Sequence, residues 1–236
     1  MNKIQPSVKL PEMDEVWQET LNWQPDEKCQ AQFQRLYEEI LLGNRQLNLT
    51  RITTLEEFWE KHLWDSLRGV VPLWQSGTTP QQVIDIGTGA GFPGLPVAIA
   101  FPHTWVTLLD STRKKIHFLE NLIPQLELGN VTTLIGRAEV IGQQLQHRQK
   151  YDLALVRAVG TASVCAEYAL PLLKTGGLAI LYRGHWTDDD TDDLLPTLEK
   201  LGGVIESIEE FTTPLSQSIR HCLYLRVTAA IAREKD

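Results

Sequence analysis

The chain has 236 residues, of which 42% are hydrophobic and 22% charged, and its formal net charge is −8. That composition is typical of a globular protein with one large domain, or one domain and an appendage. It excludes several classes. No apolar run reaches the roughly 20 residues that span a membrane, and the acidic charge argues against non-specific coating of nucleic acid. The 3 scattered cysteines predict neither a disulfide framework nor a metal site. No signal peptide is recognisable, so we expect a cytoplasmic protein.

Residues 1–80 are predicted to form a helical extension. Apolar residues recur at helical spacing from Phe33 to Leu41, and a second helix is predicted from Leu55 to Trp74. The turn-forming segment 75–80 (QSGTTP) follows and marks a boundary. Residues 81–236 are therefore predicted to form a separate domain.

From residue 81 onward, short apolar strands alternate with helices. Strands are predicted at 83–86, 105–109, 131–135, 153–156 and 178–182, with helices at 94–101, 113–123, 139–146 and 162–173. This alternation is typical of a parallel sheet with helices on both faces. Two more strands, at 204–211 and 222–227, are predicted to add an antiparallel edge. The predicted fold is thus α/β, a doubly wound, mostly parallel, seven-stranded sheet with a helical extension at its N-terminal side.

A glycine-rich loop, DIGTGAGFPG at 85–94, lies between the first predicted strand and the next helix. Its glycines let the backbone turn tightly and approach a ligand. Part of it matches the dinucleotide pattern GxGxxG, yet Asp85 would repel a pyrophosphate and Pro93 removes a backbone donor. A cationic ligand without phosphate suits Asp85 better, and S-adenosylmethionine (SAM) is such a ligand.

Asp110 ends the second predicted strand. A carboxylate at this position accepts ribose hydroxyls in NAD and SAM sites, although it can also simply cap the next helix. The helix then opens on Arg113, Lys114 and Lys115, where positive charge opposes the helix dipole. Contact with phosphates is one interpretation of this triplet, and a solvated surface is the other.

Several segments, in order along the chain, resemble the RsmG (GidB) family of bacterial methyltransferases. They are NLTRI at 48–52, HLWDSL at 62–67, DIGTGAGFPGLP at 85–96, LLDSTRKKIHFL at 108–119, GRAE at 136–139 and RAV at 157–159. The resemblance runs from about residue 47 to residue 227, with Arg183 standing where the family usually has lysine. It implies a SAM-dependent enzyme that methylates the N-7 atom of a guanine in the 530 loop of 16S ribosomal RNA.

The resemblance also implies a cofactor site at the strand ends. The residues it implies are Gly87, Phe92, Asp110, Ser111, Thr112, Ala138, Glu139 and Arg157, and the glycine-rich loop itself adds Asp85, Gly89 and Gly91. Phe92 would lie against the adenine or the thioether, or else in the core. Glu139 would read the adenine amino group, or only favour a helix dipole. Arg157 is the expected catalytic residue, orienting the target base, unless it only pairs with Asp152 or Asp85.

Target RNA is expected to meet Arg51, His62, Asp65, Arg113, Lys114, Lys115, Arg183 and Arg220. His62 and Asp65 are three residues apart on one helix, so they would either form a local pair or shape the base pocket. The expected partner is 16S ribosomal RNA within a small-subunit particle, bound by a monomer without metal or membrane. Guanine N-7 has a free lone pair and no proton, so no general base is expected.

Three alternatives stay open at this point. The chain is a SAM enzyme with another target, a dehydrogenase that binds NAD through the GAGFPG loop, or an RNA-binding assembly factor that has kept a methyltransferase fold. Asp85 argues against NAD, and the acidic ends of the first two strands argue against a protein without a cofactor.

Overall fold

The computed structural model describes residues 9–77 and 79–229. Its centre is a seven-stranded sheet with the order β3-β2-β1-β4-β5-β7-β6. The strands are β1 Gln82–Ile86, β2 Trp105–Asp110, β3 Val131–Ile135, β4 Tyr151–Arg157, β5 Leu173–Arg183, β6 Gly203–Thr212 and β7 Ile219–Val227. Strands β1 to β5 are parallel, and β7 runs antiparallel to both β5 and β6. The predicted sheet and its antiparallel edge are confirmed.

Ten α-helices surround the sheet in the described ranges. They are α1 Asp14–Leu21, α2 Glu27–Leu47, α3 Leu55–Phe58, α4 Asp65–Arg68, α5 Val71–Gln75, α6 Gly94–Ala100, α7 Arg113–Gln125, α8 Ala138–Ile141, α9 Ala162–Ala169 and α10 Asp188–Leu201. A π-helical segment, Trp59–Trp64, joins α3 to α4, and a 3₁₀ turn, Leu170–Leu172, follows α9.

The core consists of two apolar clusters, one on each face of the sheet. One contains side chains of α1, α2, the π segment, α6 and α7, and the other contains those of α8, α9 and α10. In the first, the Trp17 ring lies 4.6 Å from that of Trp59 between centroids. The N-terminal helices therefore share one core with the sheet, whose first strand begins at Gln82, and the division of the chain near residue 80 stays a prediction.

The predicted helix from Leu55 to Trp74 is wrong as a continuous helix. It is interrupted by the π segment and again at Gly69, which follows α4. At Gly69 the sheet comes very close, because a Cβ placed there would lie 2.5 Å from the Tyr182 ring, and the Tyr224 hydroxyl donates to the Gly69 carbonyl at 2.8 Å. Tyr182 likewise donates to the Ser66 carbonyl at 2.8 Å. Contacts from β5 and β7, rather than local sequence, shape this segment.

Helix α10 was not predicted, and its first turns are formed by an acidic run at 188–193. Acidic residues in a first turn complement the helix dipole. Thr187 and Asp190 also form a capping box, each side chain bonding to the backbone N–H of the other residue. The Thr-x-x-Asp spacing was the signal that identifies this helix start.

None of the helices in the described ranges is long and apolar enough to cross a membrane. Within the same ranges, no three His, Cys, Asp or Glu side chains are grouped as they would be to hold a metal ion. Cys29, Cys165 and Cys222 are buried free thiols.

Candidate active site

The glycine-rich loop between β1 and α6 is anchored on the neighbouring strand. The backbone N–H groups of Gly87 and Thr88 both donate to the Leu109 carbonyl, at 2.8 and 3.0 Å. Two glycines then take left-handed conformations, with φ of +60° at Gly89 and +100° at Gly91. A Cβ at Gly89 would meet only the Gly87 carbonyl, at 3.8 Å, whereas one at Gly91 would lie 2.3 Å from the Leu95 side chain. Gly89 therefore faces open space, and Gly91 faces the core.

Asp85 lies beneath this loop and is fully buried. Its Oδ2 atom accepts hydrogen bonds from the Thr88 hydroxyl at 2.6 Å and from the Gly94 N–H at 2.8 Å, and its Oδ1 atom is buried without a partner. Burial raises the pKa of Asp85 to about 6, although these two hydrogen bonds and the nearby Arg157 charge act to lower it. The sequence placed Asp85 at the ligand, but the structure places its side chain inside the loop, which it holds together.

Asp110 joins the loop to the start of α7. Its Oδ2 accepts from the Gly89 N–H at 3.0 Å, and its Oδ1 accepts from the Thr112 N–H at 2.8 Å. The Lys115 ammonium lies 3.8 Å from Oδ2. Each carboxylate oxygen can accept two bonds, so both keep one acceptor position. Capping of the next helix and a ligand role are thus compatible in this residue.

A crevice of about 300 Å³ opens above these groups, at the carboxyl ends of the parallel strands. It is lined by Ile86, Gly87, Leu109, Asp110, Ser111, Thr112, Lys115, Gly136, Arg137, Ala138, Glu139, Ala158, Val159 and Tyr168. Open α/β sheets bind ligands at this edge. Six of the predicted cofactor residues therefore line one cavity: Gly87, Asp110, Ser111, Thr112, Ala138 and Glu139.

Glu139 lies at the outer wall of the crevice, at the start of α8. Its carboxylate pairs with the Arg137 guanidinium, and both side chains are substantially exposed. Because an exposed ion pair contributes little to stability, the Glu139 carboxylate can exchange this partner for a ligand at little cost.

Phe92 lies inside the fold, beside the crevice rather than in it. Its ring stacks on the His62 imidazole with centroids 4.1 Å apart and planes at 8°, and it meets the Phe58 ring edge-on at 5.7 Å. Only 5% of Phe92 is exposed. Of the two interpretations that the sequence left open for Phe92, the structure supports the core.

Arg157, at the end of β4, reaches across to the π segment. Its Nη1 atom donates to the Lys61 carbonyl at 2.7 Å and to Asp65 Oδ2 at 3.1 Å, and its Nη2 atom lies 3.3 Å from His62 Nδ1. The alternative that Arg157 only pairs with Asp152 or Asp85 does not hold, since the carboxylate partner of Arg157 is Asp65 and Asp152 is bound by Lys174 at 2.6 Å. We call Arg157, Asp65, His62 and the Lys61 carbonyl the arginine junction.

His62 and Asp65 were expected on a surface that meets RNA, but the structure buries both, with 7% and 8% exposed. Burial, together with the charges of Arg157 and Lys61, lowers the pKa of His62 to about 3, so this imidazole is neutral. The expected local pair between them is replaced by a shared partner, Arg157. Their RNA contact is therefore corrected to an internal role.

Comparison with known proteins identifies the family. A family profile described as "rRNA small subunit methyltransferase G" matches residues 29–221 of this chain. A protein named ribosomal RNA small subunit methyltransferase G from Nostoc punctiforme is 66% identical over 222 residues, which is 93% of this chain and 91% of that protein. A protein of the same name from Microcystis aeruginosa is 58% identical over 92% of this chain and 98% of its own length. This chain belongs to the rRNA small subunit methyltransferase G family.

Solved structures agree on the fold alone. A branched-chain polyamine synthase from Thermus thermophilus superimposes with a TM-score of 0.58 at 14% identity, over 72% of this chain and 57% of that one. The Pyrococcus horikoshii protein NSun6 gives 0.51 at 14% identity, over 62% of this chain and 48% of that one. This chain is a SAM-dependent methyltransferase by its family membership.

The crevice fits the cofactor of this family. SAM carries a cationic sulfonium and no phosphate, and the polar side chains that line the crevice include two carboxylates, those of Asp110 and Glu139. Both keep acceptor capacity for hydroxyl or amino hydrogens. Gly89 is not among the residues that line the crevice, but its N–H donates to Asp110, which is, and a Cβ there would meet no atom closer than 3.8 Å, so bare backbone is accessible next to Asp110.

Most of the cations that are predicted to contact RNA lie around the edge of the sheet that carries the crevice. Arg51 is the exception, because it follows α2. Arg51, Arg113 and Lys114 are exposed, and Lys115, Arg183 and Arg220 are partly buried. Arg183 donates from Nη1 to the Gly160 carbonyl at 2.6 Å, and a Cβ on Gly184 would lie 3.6 Å from Arg220 Nη1. The late loops thus bring Arg183 and Arg220 near each other.

Sequence reasoning missed several residues of the site. Arg137, Val159 and Tyr168 line the crevice, and Thr50 contacts His62 with its hydroxyl 2.9 Å from Nε2. Arg137 stands inside the quoted GRAE motif, so the motif itself was a signal. Thr50 likewise stands inside the NLTRI motif, whereas for Tyr168 the signal is only spatial, because contacts across distant elements bring it to the site.

Proposed function

We propose that this protein transfers the methyl group of SAM to the N-7 atom of a guanine in the 530 loop of 16S ribosomal RNA. The observation that carries the proposal is the Arg157 guanidinium, which has unused donors and belongs to the residue directly before Ala158 and Val159 in the wall of the crevice. In the described part of the chain its contacts use three of the five guanidinium N–H groups, so two remain for a ligand.

Guanine N-7 needs alignment and a suitable field rather than a base, because it carries a lone pair and no proton. SAM supplies an electrophilic methyl group on its sulfonium when it is bound. An arginine can donate to the N7/O6 edge of guanine. Since the N-7 lone pair must stay free to attack, we assign the donors of Arg157 to the O-6 atom.

The side chains at the site agree with a reaction that has no general base. His62 has a pKa lowered to about 3 and contacts on both ring nitrogens, so it is poorly placed to take a proton. Asp110 already accepts from two backbone N–H groups. Both residues hold parts of the site in place.

We assign cofactor contacts to the residues that line the crevice. Asp110 would accept the ribose hydroxyls, and Glu139, with the backbone of Ala138, would read the adenine amino group. Gly87 and Gly89 would let the backbone approach the ligand, and Ser111 and Thr112 would close the side near α7. Asp85, Gly91 and Phe92 support this site from inside the fold.

We further propose that the substrate is a protein-containing small-subunit particle, methylated in the cytoplasm by a monomer. A net charge of −8 makes tight binding to bare RNA unfavourable, because phosphate neutralisation dominates such affinity. The exposed cations Arg51, Arg113 and Lys114, with Lys115, Arg183 and Arg220, would supply a local basic contact instead.

The test is methyl transfer from labelled SAM to small-subunit particles and to naked 16S RNA, followed by mass mapping of the modified nucleoside. We expect one 7-methylguanosine in the 530 loop, formed faster on particles. Label in a different nucleoside would overturn the target assignment but not the methyltransferase activity. Absence of the modification in a host lacking this gene, and its return on complementation, would provide the matching result in cells.

A further inference from the structure

The arginine junction connects two parts of the molecule that lie far apart in sequence. Arg157 ends β4, and its three acceptors all come from residues 61–65, in the π segment and the start of α4. The side chains of Arg157 and Asp65 are 16% and 12% exposed. A guanidinium held by a carbonyl, a carboxylate and an imidazole nitrogen is fixed in both its plane and its direction.

The stability that this ion pair provides is small. A buried ion pair gains about as much from attraction as it loses through desolvation, so on average it contributes little net stability. Burial raises the pKa of Asp65 against the opposing effect of Arg157, which shows that desolvation here is considerable. What the pair does provide is a defined orientation for Arg157.

His62 extends the junction through hydrogen bonds whose donors and acceptors can be assigned. An arginine only donates, so His62 Nδ1 must be the acceptor of the 3.3 Å contact with Arg157. The ring proton therefore lies on Nε2, which donates to the Thr50 hydroxyl at 2.9 Å. This fixes the tautomer of a neutral histidine that is also stacked on Phe92.

Thr50, at the end of this hydrogen-bonded chain away from Arg157, is itself held in place by further hydrogen bonds. Its N–H donates to Asn44 Oδ1 at 2.9 Å, its carbonyl accepts from Asn44 Nδ2 at 2.8 Å, and its hydroxyl accepts from the Ile52 N–H at 3.0 Å. The hydrogen-bonded chain therefore runs from α2 through Thr50 and His62 to Arg157 without a break.

On the basis of the proposed function, we propose that Asp65, His62 and Thr50 are positioning residues for methyl transfer. They hold the Arg157 guanidinium so that its two remaining N–H groups face the target guanine. Asp65 and His62 act directly on Arg157, and Thr50 acts by holding the His62 ring. The HLWDSL segment thereby serves base placement from inside the fold, without touching RNA through His62 or Asp65.

The first test compares two matched substitutions, Asp65→Asn and Glu209→Gln. Each neutralises the carboxylate of an arginine pair, and the distances are equal: 3.1 Å from Arg157 to Asp65 and 3.1 Å from Arg68 to Glu209. Both pairs tie the segment at 61–68 to the sheet, but only one contains Arg157. The measurements are the single-turnover methyl-transfer rate constant, the SAM dissociation constant and the melting temperature.

We expect Asp65→Asn to lower the rate constant by about 10- to 100-fold, the loss that an ångström-scale misplacement produces. The SAM dissociation constant should stay within about twofold, since neither Asp65 nor Arg157 lines the crevice. Glu209→Gln should change both by less than about twofold while lowering the melting temperature to a similar extent. Equal loss of rate in the two variants, at equal loss of stability, would overturn the proposal.

The second test separates the two nitrogens of His62. An asparagine places an acceptor near the position of Nδ1, whereas a glutamine places a donor near the position of Nε2. We expect His62→Asn to retain more methyl transfer than His62→Gln, because only the first keeps an acceptor for Arg157. The reverse order would show that the contact with Thr50 matters and the contact with Arg157 does not.

The third test needs no activity. Nitrogen-15 NMR of the free protein should show His62 protonated on Nε2 only, and separate, slowly exchanging Arg157 Nη signals that merge in Asp65→Asn. A proton on Nδ1, or merged Arg157 signals in the wild type, would overturn the positioning role. If instead the wild type transfers no methyl group to ribosomal RNA while these signals appear, the proposed function fails and the junction stands.

Discussion

Two neighbouring regions of this protein use the same kinds of residues in opposite ways. In the crevice, the buried Asp110 and the exposed Glu139 both keep acceptor positions and line a cavity of about 300 Å³. In the arginine junction, Asp65 and His62 are buried, and the groups they contact in the described part of the chain belong to the protein interior. One region is arranged to receive a ligand, and the other is arranged to hold a single side chain. A family motif therefore does not say which of its residues touch the ligand.

Gly89 and Gly91 stand two positions apart in the glycine-rich loop, yet Gly89 faces open space and Gly91 faces the core. Substitution at Gly91 gives the largest predicted effect. Gly91→Ala forces a Cβ to 2.3 Å from Leu95 at a φ of +100°. We expect it to destabilise the fold by about 2–5 kcal/mol, combining backbone strain and overpacking. Urea unfolding measures this free energy.

Gly89→Ala is the matched control, since its φ of +60° imposes strain but its Cβ enters open space. It should cost only about 1–2 kcal/mol of stability while weakening SAM binding, because the new methyl group occupies the open face of the loop. Similar stability losses in the two variants would contradict the assignment of Gly91 to the core side.

The apolar patterns predicted the sheet well, but not the contacts between distant segments. The first strand was predicted at 83–86 and is found at Gln82–Ile86, and all seven strands were located. Buried parallel strands produce a strong local signal, namely short apolar runs bounded by turns. The partner of Arg157 gave no such signal, because Asp65 lies 92 residues away in sequence.

The same limit explains the other differences. The segment at 55–74 is shaped by side chains of β4, β5 and β7, which bond to the Lys61, Ser66 and Gly69 carbonyls and which no local pattern in that segment reveals. Asp85 and Phe92 stand in a motif typical of cofactor sites, yet only their burial shows that they support the loop. Residue type and spacing predicted where the ligand site lies, and packing decided which side chains face it.

The next largest effect concerns the crevice carboxylate. In the wild type, two backbone N–H groups bond to separate oxygens of Asp110. Asp110→Asn leaves only one acceptor oxygen, so one of these N–H groups loses its partner. We expect SAM and adenosylhomocysteine to bind at least about tenfold more weakly, since the loop and a ribose acceptor are both impaired. Calorimetry measures both affinities.

Glu139→Gln should weaken both ligands by less than Asp110→Asn does, because its carboxylate is exposed and paired with Arg137. A larger effect at Glu139 than at Asp110 would reverse the assigned importance of the two walls of the crevice.

The buried histidine predicts how stability responds to acid. The pKa of His62 is lowered to about 3 in the folded protein, against about 6.5 for a free histidine. The unfolded chain therefore binds the proton first, and stability falls as the pH drops from about 6.5 towards 3, with a slope of up to about 1.4 kcal/mol per pH unit. Chemical unfolding at a series of pH values measures the slope.

His62→Asn should remove this part of the slope. If the slope is the same in wild type and His62→Asn, the imidazole is not held neutral by the junction.

Asp85 gives the smallest effect and tests whether its charge reaches the cofactor at all. Its pKa, raised to about 6 by burial, means that the folded state keeps its proton longer than the unfolded state, so this group lowers stability as the pH rises from about 4 to 6. Asp85→Asn removes that dependence and can keep the bonds from Thr88 and Gly94 through its amide oxygen. The relief of the buried charge and the cost of an unpartnered amide are of similar size, so stability at pH 8 should change by about 1 kcal/mol or less.

The two ligands then separate charge from shape. SAM carries a sulfonium cation and adenosylhomocysteine a neutral thioether, while the guanidinium of Arg157 partly offsets the Asp85 charge. We expect Asp85→Asn to weaken the binding of SAM by a few fold and that of adenosylhomocysteine by less. The losses of binding free energy for the two ligands should differ by less than about 1.4 kcal/mol. An equal loss for both ligands would mean that the carboxylate acts only by shaping the loop. In that case the internal position of Asp85 would describe its whole contribution, and the cation preference inferred from its place in the sequence would have to come from the carboxylates of the crevice.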